Sequence, residues 1–314
     1  MKKLAIVAAL AATLLTLTAC AGAPASTSGS TESSSASPTS GTEGNASFDS
    51  SKIQIVASTN IWGSVASSVG GDLVQVTSII DTASQDPHSY EASARDQLAF
   101  KQADLVITNG GGYDEFAAKL AESATEADKI VIADIATNVD AKKNEHLWYS
   151  VSAVGLATYA IADQLGKIDS KNTETYLANA DKFIEGLTGI AAGYGEIQKK
   201  AKGKKFFATE PVANWMLSDL GFVDATPAEF SKAIENETDV PPLALKNALD
   251  LIGSGKINVV VLNAQTENTQ TKQIADKAKS AGVAVVTLSE LMPKGMAYID
   301  WMGENLIALD KALG

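Results

Sequence analysis

The chain has 314 residues, a formal net charge of −12, 45% hydrophobic residues, one cysteine and two histidines. An acidic chain with no basic stripe is excluded from holding a nucleic-acid backbone by counterion release. A single cysteine excludes an internal disulfide and a thiolate-cluster metal centre, and if its sulfur is modified the remaining metal ligands can only be nitrogen and oxygen.

Lys2 and Lys3 precede an apolar run over residues 4–17, and Leu17-Thr18-Ala19-Cys20 closes it with small residues. This pattern predicts a bacterial secretion signal over 1–19; the run is short for a bilayer span, which needs roughly 20 apolar residues. The segment before Cys20 resembles the lipobox of bacterial lipoproteins, which implies that Cys20 becomes the lipid-modified first residue of an extracytoplasmic, membrane-anchored protein. Residues 21–50 contain 14 Ser or Thr, with Gly and Pro among them. So little apolar surface cannot offset the entropy of ordering. Residues 20–50 are therefore expected to form a flexible tether, with an end-to-end distance on the order of 30 Å.

From residue 51 onward, short β-rich segments alternate with helical ones. Strands are predicted at 53–58, 73–80, 104–108 and 129–133, and helices at 61–69, 93–102 and 114–121. A loop through His146 leads into a helix over 148–165. The longest helical pattern covers 172–200, where Tyr176, Phe183, Leu187, Ile190, Tyr194 and Ile197 form an apolar stripe at spacings of three, four and seven. At 1.5 Å per residue such a helix is about 43 Å long, longer than one lobe is wide, and reads as a spine between two lobes. The alternation then resumes, with strands at 204–209, 257–262 and 283–288 and helices at 211–219, 242–252, 267–280 and 298–313. The fold class is thus α/β: a first lobe over 51–168, a linking helix over 169–202 and a second lobe over 203–314. Each lobe should hold a small, mostly parallel sheet flanked by helices.

In open parallel sheets, ligands bind beyond the carboxyl ends of the strands. His88 follows the second predicted strand and His146 the fourth; Glu210 follows the strand at 204–209 and Glu290 the strand at 283–288. If the lobes face each other, these four side chains can converge on one divalent cation. Asp86, Glu91, Glu145 and Asp300 stand close enough in sequence to compete as ligands. Asn109, opening a run of three glycines, and Asn263 are placed to support the ligands. The glycine run matches no dinucleotide or phosphate-loop pattern.

Asp86-Pro87-His88-Ser89-Tyr90-Glu91 and the stretch Ala103-Asp104-Leu105-Val106-Ile107-Thr108-Asn109-Gly110 resemble the zinc/manganese-type, cluster A-I metal-receptor family of ABC transporter substrate-binding proteins. A softer match covers Tyr298-Ile299-Asp300-Trp301-Met302-Gly303-Glu304-Asn305-Leu306. The resemblance implies a metal held between two α/β lobes bridged by a long helix, with His88 and His146 as the first two ligands. It implies Glu210 where the family has histidine or glutamate, and Glu290 near the family's final acidic ligand, usually an aspartate. A His-rich loop found in many zinc receptors is missing here. Two imidazoles and two carboxylates make a harder site than three histidines, which favours Mn²⁺ slightly over Zn²⁺, with Fe²⁺ also in play.

The function expected from the sequence is metal capture for import through an ABC permease, by a monomer without enzymatic activity. A metal-stabilised surface adhesin and a metallohydrolase are the alternatives. Binding is expected to weaken below about pH 6 if both histidines must first lose protons.

Overall fold

Seven residues at Ile53–Thr59 carry the pattern of a strand buried on both faces, six of them inaccessible. This strand, β1, lies in the middle of a sheet, where no side of it can face water. The computed structural model describes residues 49–314, which form one compact unit; the signal segment, Cys20 and the tether expected up to residue 48 lie outside the described residues. Among the described residues no helix is long and apolar enough to cross a membrane.

In the first lobe, β1 is followed by α1 (Asn60–Gly70), β2 (Val74–Ile80), α2 (Ala94–Gln102), β3 (Leu105–Thr108), α3 (Glu115–Ser123), β4 (Asp128–Val131) and the short α4 (Ile132–Ile135). The sheet is wholly parallel in the order β2-β1-β3-β4, with Ile55 opposite both Val76 and Leu105 and Thr108 opposite Val131. β4 is two residues shorter at its end than the sequence predicts, because the chain turns into α4 at Ile132. α5 (Val151–Ile168) and α6 (Thr173–Ala201) follow.

The second lobe contains β5 (Lys205–Ala208), α7 (Asn214–Asp219), β6 (Val223–Asp224), α8 (Ala228–Glu235), α9 (Pro242–Gly253), β7 (Val259–Asn263), α10 (Thr269–Ser280), β8 (Ala284–Leu288) and α11 (Tyr298–Leu313). Its sheet repeats the first, in the order β6-β5-β7-β8 and again all parallel. The two-residue β6 and the helix α8 are additions to the predicted set; two residues are too few to show an alternation. The helix expected from residue 211 begins only at Asn214, which leaves 211–213 as part of the loop after β5.

α6 runs unbroken for 29 residues and buries the predicted stripe from Tyr176 to Ile197. One of its glycines has a packing reason: a Cβ at Gly186 would stand 3.1 Å from Ile299, so this position lets α11 lie close along the spine. One core joins the first sheet, α1, α5, α6, α11 and the inner face of the second sheet. The outer face of that sheet has its own core of Phe207, Val260, Phe230 and Ile274. Phe206 and Phe207 divide between the two cores because successive strand residues point to opposite faces.

The lobes are tied directly as well as through α6. Asn60 Nδ2 donates to the Met292 carbonyl at 2.9 Å and Tyr149 Oη to the Ser289 carbonyl at 2.8 Å. Tyr298 Oη donates to the Trp148 carbonyl at 2.5 Å.

Candidate metal site

Both sheets reverse direction of growth between their second and third strands in spatial order, and open parallel sheets bind ligands beyond the carboxyl ends of their strands near such a point. His88 sits in the loop after β2. Asp86 Oδ1 accepts from the His88 amide at 2.9 Å and Asp86 Oδ2 from Ser89 Oγ at 3.0 Å, an Asx turn that fixes the loop. Tyr90 anchors its far side by donating to Asp96 at 2.9 Å.

His146 is buried in the long connection between α4 and α5. Asn144 Oδ1 accepts from the His146 amide at 2.9 Å and stands 2.8 Å from His146 Nδ1. With Nδ1–H donated to Asn144, Nε2 is the ring nitrogen left to coordinate. Burial, and then the nearby His88, push the pKa of His146 down to about 3. His146 is therefore neutral at physiological pH and has no proton to lose. This corrects the expectation that both histidines must deprotonate.

On the second lobe, Glu210 follows β5 and Glu290 follows β8, and both are buried. Asn263, the last residue of β7, donates through its single amide nitrogen to Glu210 Oε2 at 2.9 Å and Glu290 Oε1 at 2.7 Å. Thr266 Oγ1 donates to Glu210 Oε1. Gln265 Oε1 accepts from the Glu290 amide at 2.6 Å and holds that loop in place. Burial raises the pKa of Glu210 above the usual carboxylate range. Burial and the neighbouring Glu210 push Glu290 up to about 8, so its carboxyl carries a proton at neutral pH without a cation.

Tyr113, fully buried, connects the two halves. Its ring meets His88 edge-on at 5.1 Å and His146 at 5.9 Å, and its hydroxyl donates to Glu290 Oε2 at 3.3 Å. Tyr113 thus links both histidines to Glu290, which Asn263 in turn links to Glu210. Tyr113 follows the glycine run, whose first members, Gly110 and Gly111, pack so tightly that added Cβ atoms would stand 2.6 Å from Val131 and 3.1 Å from the Ala141 carbonyl. Asn109 does not reach toward the ligand atoms: it accepts from Trp62 Nε1 at 3.0 Å and donates to the Glu145 carbonyl at 2.9 Å.

Glu145 is the residue whose place the sequence left open. Among the described residues, His88, Glu145 and His146 offer ligand atoms that all lie within 4.8 Å of one another. Glu91 and Asp300 are exposed. Sequence reading did not single out Tyr113, Asn144 or Thr266. Asn144 carried a detectable signal, an Asx residue two before a histidine; Tyr113 and Thr266 carried none, because their partners lie far along the chain.

A family model described as the periplasmic component A of the zinc-uptake complex, ZnuA, matches residues 55–312. The chain is 23% identical to the metal ABC transporter substrate-binding lipoprotein SsaB of Streptococcus sanguinis, over 86% of this chain and 92% of that protein. It is 24% identical to the iron-binding protein YfeA of Yersinia pestis, over 87% and 90%. Among solved structures, the substrate-binding protein FpvC of Pseudomonas aeruginosa in complex with Mn²⁺ superposes with a TM-score of 0.71 at 23% identity, over 83% of this chain and 98% of that one. The fold is shared across that distance.

Proposed function

Since the chain belongs to the ZnuA family of periplasmic metal-uptake components, we propose that it is an extracytoplasmic receptor that captures one divalent transition metal and delivers it to an ABC permease for import. The observation that carries this reading is Tyr113, whose ring touches both imidazoles and whose hydroxyl donates to Glu290 of the second lobe, itself linked to Glu210 through Asn263. His88, His146, Glu210 and Glu290 are proposed as the ligands. Residues 51–168 and 203–314 are read as the two lobes and 169–202 as their link. Lipid at Cys20 is proposed to anchor a monomer at the membrane.

The residues suit capture and release. His146 presents a neutral ring nitrogen, already oriented by Asn144, at no desolvation cost on binding. Glu210 and Glu290 give up hydrogen bonds to Thr266, Asn263 and Tyr113 as they turn to the cation, and Glu290 gives up its proton. The donor set of two nitrogens and two carboxylates is hard enough to favour Mn²⁺ slightly, although Zn²⁺ binds such sites more tightly in the intrinsic order. If the four side chains fill the coordination sphere, no position is left for a water nucleophile, and the proposed role is binding without chemistry.

The test is to strip the protein with chelator and titrate Mn²⁺ and Zn²⁺ by calorimetry, with His88→Ala and Glu290→Ala alongside. One cation per chain, lost with His88, supports the reading. Binding indifferent to His88 would overturn the ligand set, and no binding would overturn the receptor.

A further inference from the structure

Glu145 lies outside the four proposed ligands, yet it is the carboxylate the structure places beside the two histidines. We infer that His88, Glu145 and His146 form a three-ligand loading site on the first lobe, which takes a divalent cation from solvent before Glu210 and Glu290 complete its capture. The inference rests on the receptor reading above.

Three observations carry it. The first is spacing. The three ligand atoms lie within 4.8 Å of one another, with His88 Nε2 3.9 Å from Glu145 Oε1. Nitrogen and oxygen ligands about 2.1 Å from a tetrahedral ion stand roughly 3.4 Å apart. Side-chain rotation of about an ångström closes that difference.

The second is access. His88 keeps 29% of its side chain exposed and Glu145 18%, and both line a cleft of about 650 Å³ open to solvent. Glu210 and Glu290 are 5% and 4% exposed. A cation arriving through the cleft meets the imidazole and Glu145 first.

The third is availability. All four oxygens of Glu210 and Glu290 already accept hydrogen bonds, from Thr266, Asn263 and Tyr113. Among the described residues the Glu145 carboxylate has His88 as its only ion-pair partner, although Lys142 and Lys143 line the same cleft. Its backbone is held firmly: the carbonyl accepts from Asn109 Nδ2 at 2.9 Å and the Leu147 amide at 2.7 Å. Gly111 lies alongside, where a Cβ would stand 3.4 Å from the Glu145 Cβ. A ligand with a fixed backbone and an uncommitted carboxylate is suited to bind first and let go.

The test uses the full chain, stripped of metal, with Mn²⁺ as the probe. In the Glu210→Gln/Glu290→Gln variant the loading site is intact, so electron paramagnetic resonance of free Mn²⁺ should still count one ion bound per chain, about 100-fold more weakly than in the unaltered protein. Adding Glu145→Gln should weaken it at least about tenfold further. In the otherwise unaltered protein, Glu145→Gln alone should slow Mn²⁺ association about tenfold, read by stopped-flow tryptophan fluorescence, and slow dissociation by a similar factor, because a ligand that holds the ion only on the way in lowers the barrier in both directions. A double variant that is folded by circular dichroism but binds no Mn²⁺ would overturn the loading site while the receptor reading stands. So would a triple variant equal to the double, or an association rate untouched by Glu145→Gln. Absence of binding to the unaltered chain would instead overturn the receptor reading itself.

Discussion

Lowering the pH from 8 to 7 will weaken Mn²⁺ binding, and the cause is Glu290 rather than a histidine. Burial and the nearby Glu210 hold its carboxyl near pKa 8 in the metal-free protein, so below that pH a proton occupies an oxygen of this proposed ligand. Each pH unit below about 8 then lowers the apparent affinity about tenfold, or about 1.4 kcal/mol. At pH 7 binding must expel about 0.9 proton from this group, from the ratio of protonated to ionised forms one unit below its pKa. His146, with its pKa near 3, contributes nothing in that window. Calorimetry at pH 7 in two buffers of different ionisation enthalpy counts the protons released, and Glu290→Gln should reduce the count to near zero while weakening binding. Affinity that is flat between pH 7 and 8, with no proton release, would refute the account of Glu290 as a buried, protonated ligand.

The same shift sets a stability prediction of opposite sign. A carboxyl whose folded-state pKa lies above its unfolded value near 4.5 contributes its stability below about pH 4.5 and loses it as pH rises toward 8. Glu290→Gln should therefore stabilise the metal-free protein at pH 8, by on the order of 2–4 kcal/mol in denaturant melts, and do so much less at pH 5. Gly111→Ala places a Cβ at φ +71°, 3.1 Å from the Ala141 carbonyl. It should cost about 1–3 kcal/mol in thermal or chemical unfolding and weaken metal binding by displacing the loop of Glu145 and His146. Leu187→Ala on the buried face of α6 should cost about 2–5 kcal/mol, in a single unfolding transition if the spine unites both lobes. Because Asn60–Met292, Tyr149–Ser289 and Tyr298–Trp148 bonds tie the lobes beside α6, scattering profiles with and without Mn²⁺ should differ little. A large compaction would contradict this.

The architecture was legible in the sequence because its signals are local. Strand runs such as residues 53–58, the glycines that end helices, and the apolar stripe from Tyr176 to Ile197 depend on periodicity within a dozen residues. The positions of His88, Glu210 and Glu290 after strands were legible for the same reason, since a parallel sheet collects the residues that follow its strands on one edge, whereas His146 lies beyond α4 in a long connection. The tertiary structure alone decided how those residues face one another. Tyr113 meets Glu290 from 177 positions away, and Asn263 reaches Glu210 across 53. The protonation states were equally invisible, since His146 is kept neutral and Glu290 protonated by burial among residues distant in sequence. Local order specifies which groups arrive at the edge of a sheet; desolvation and the neighbours supplied by the other lobe determine what those groups can do there.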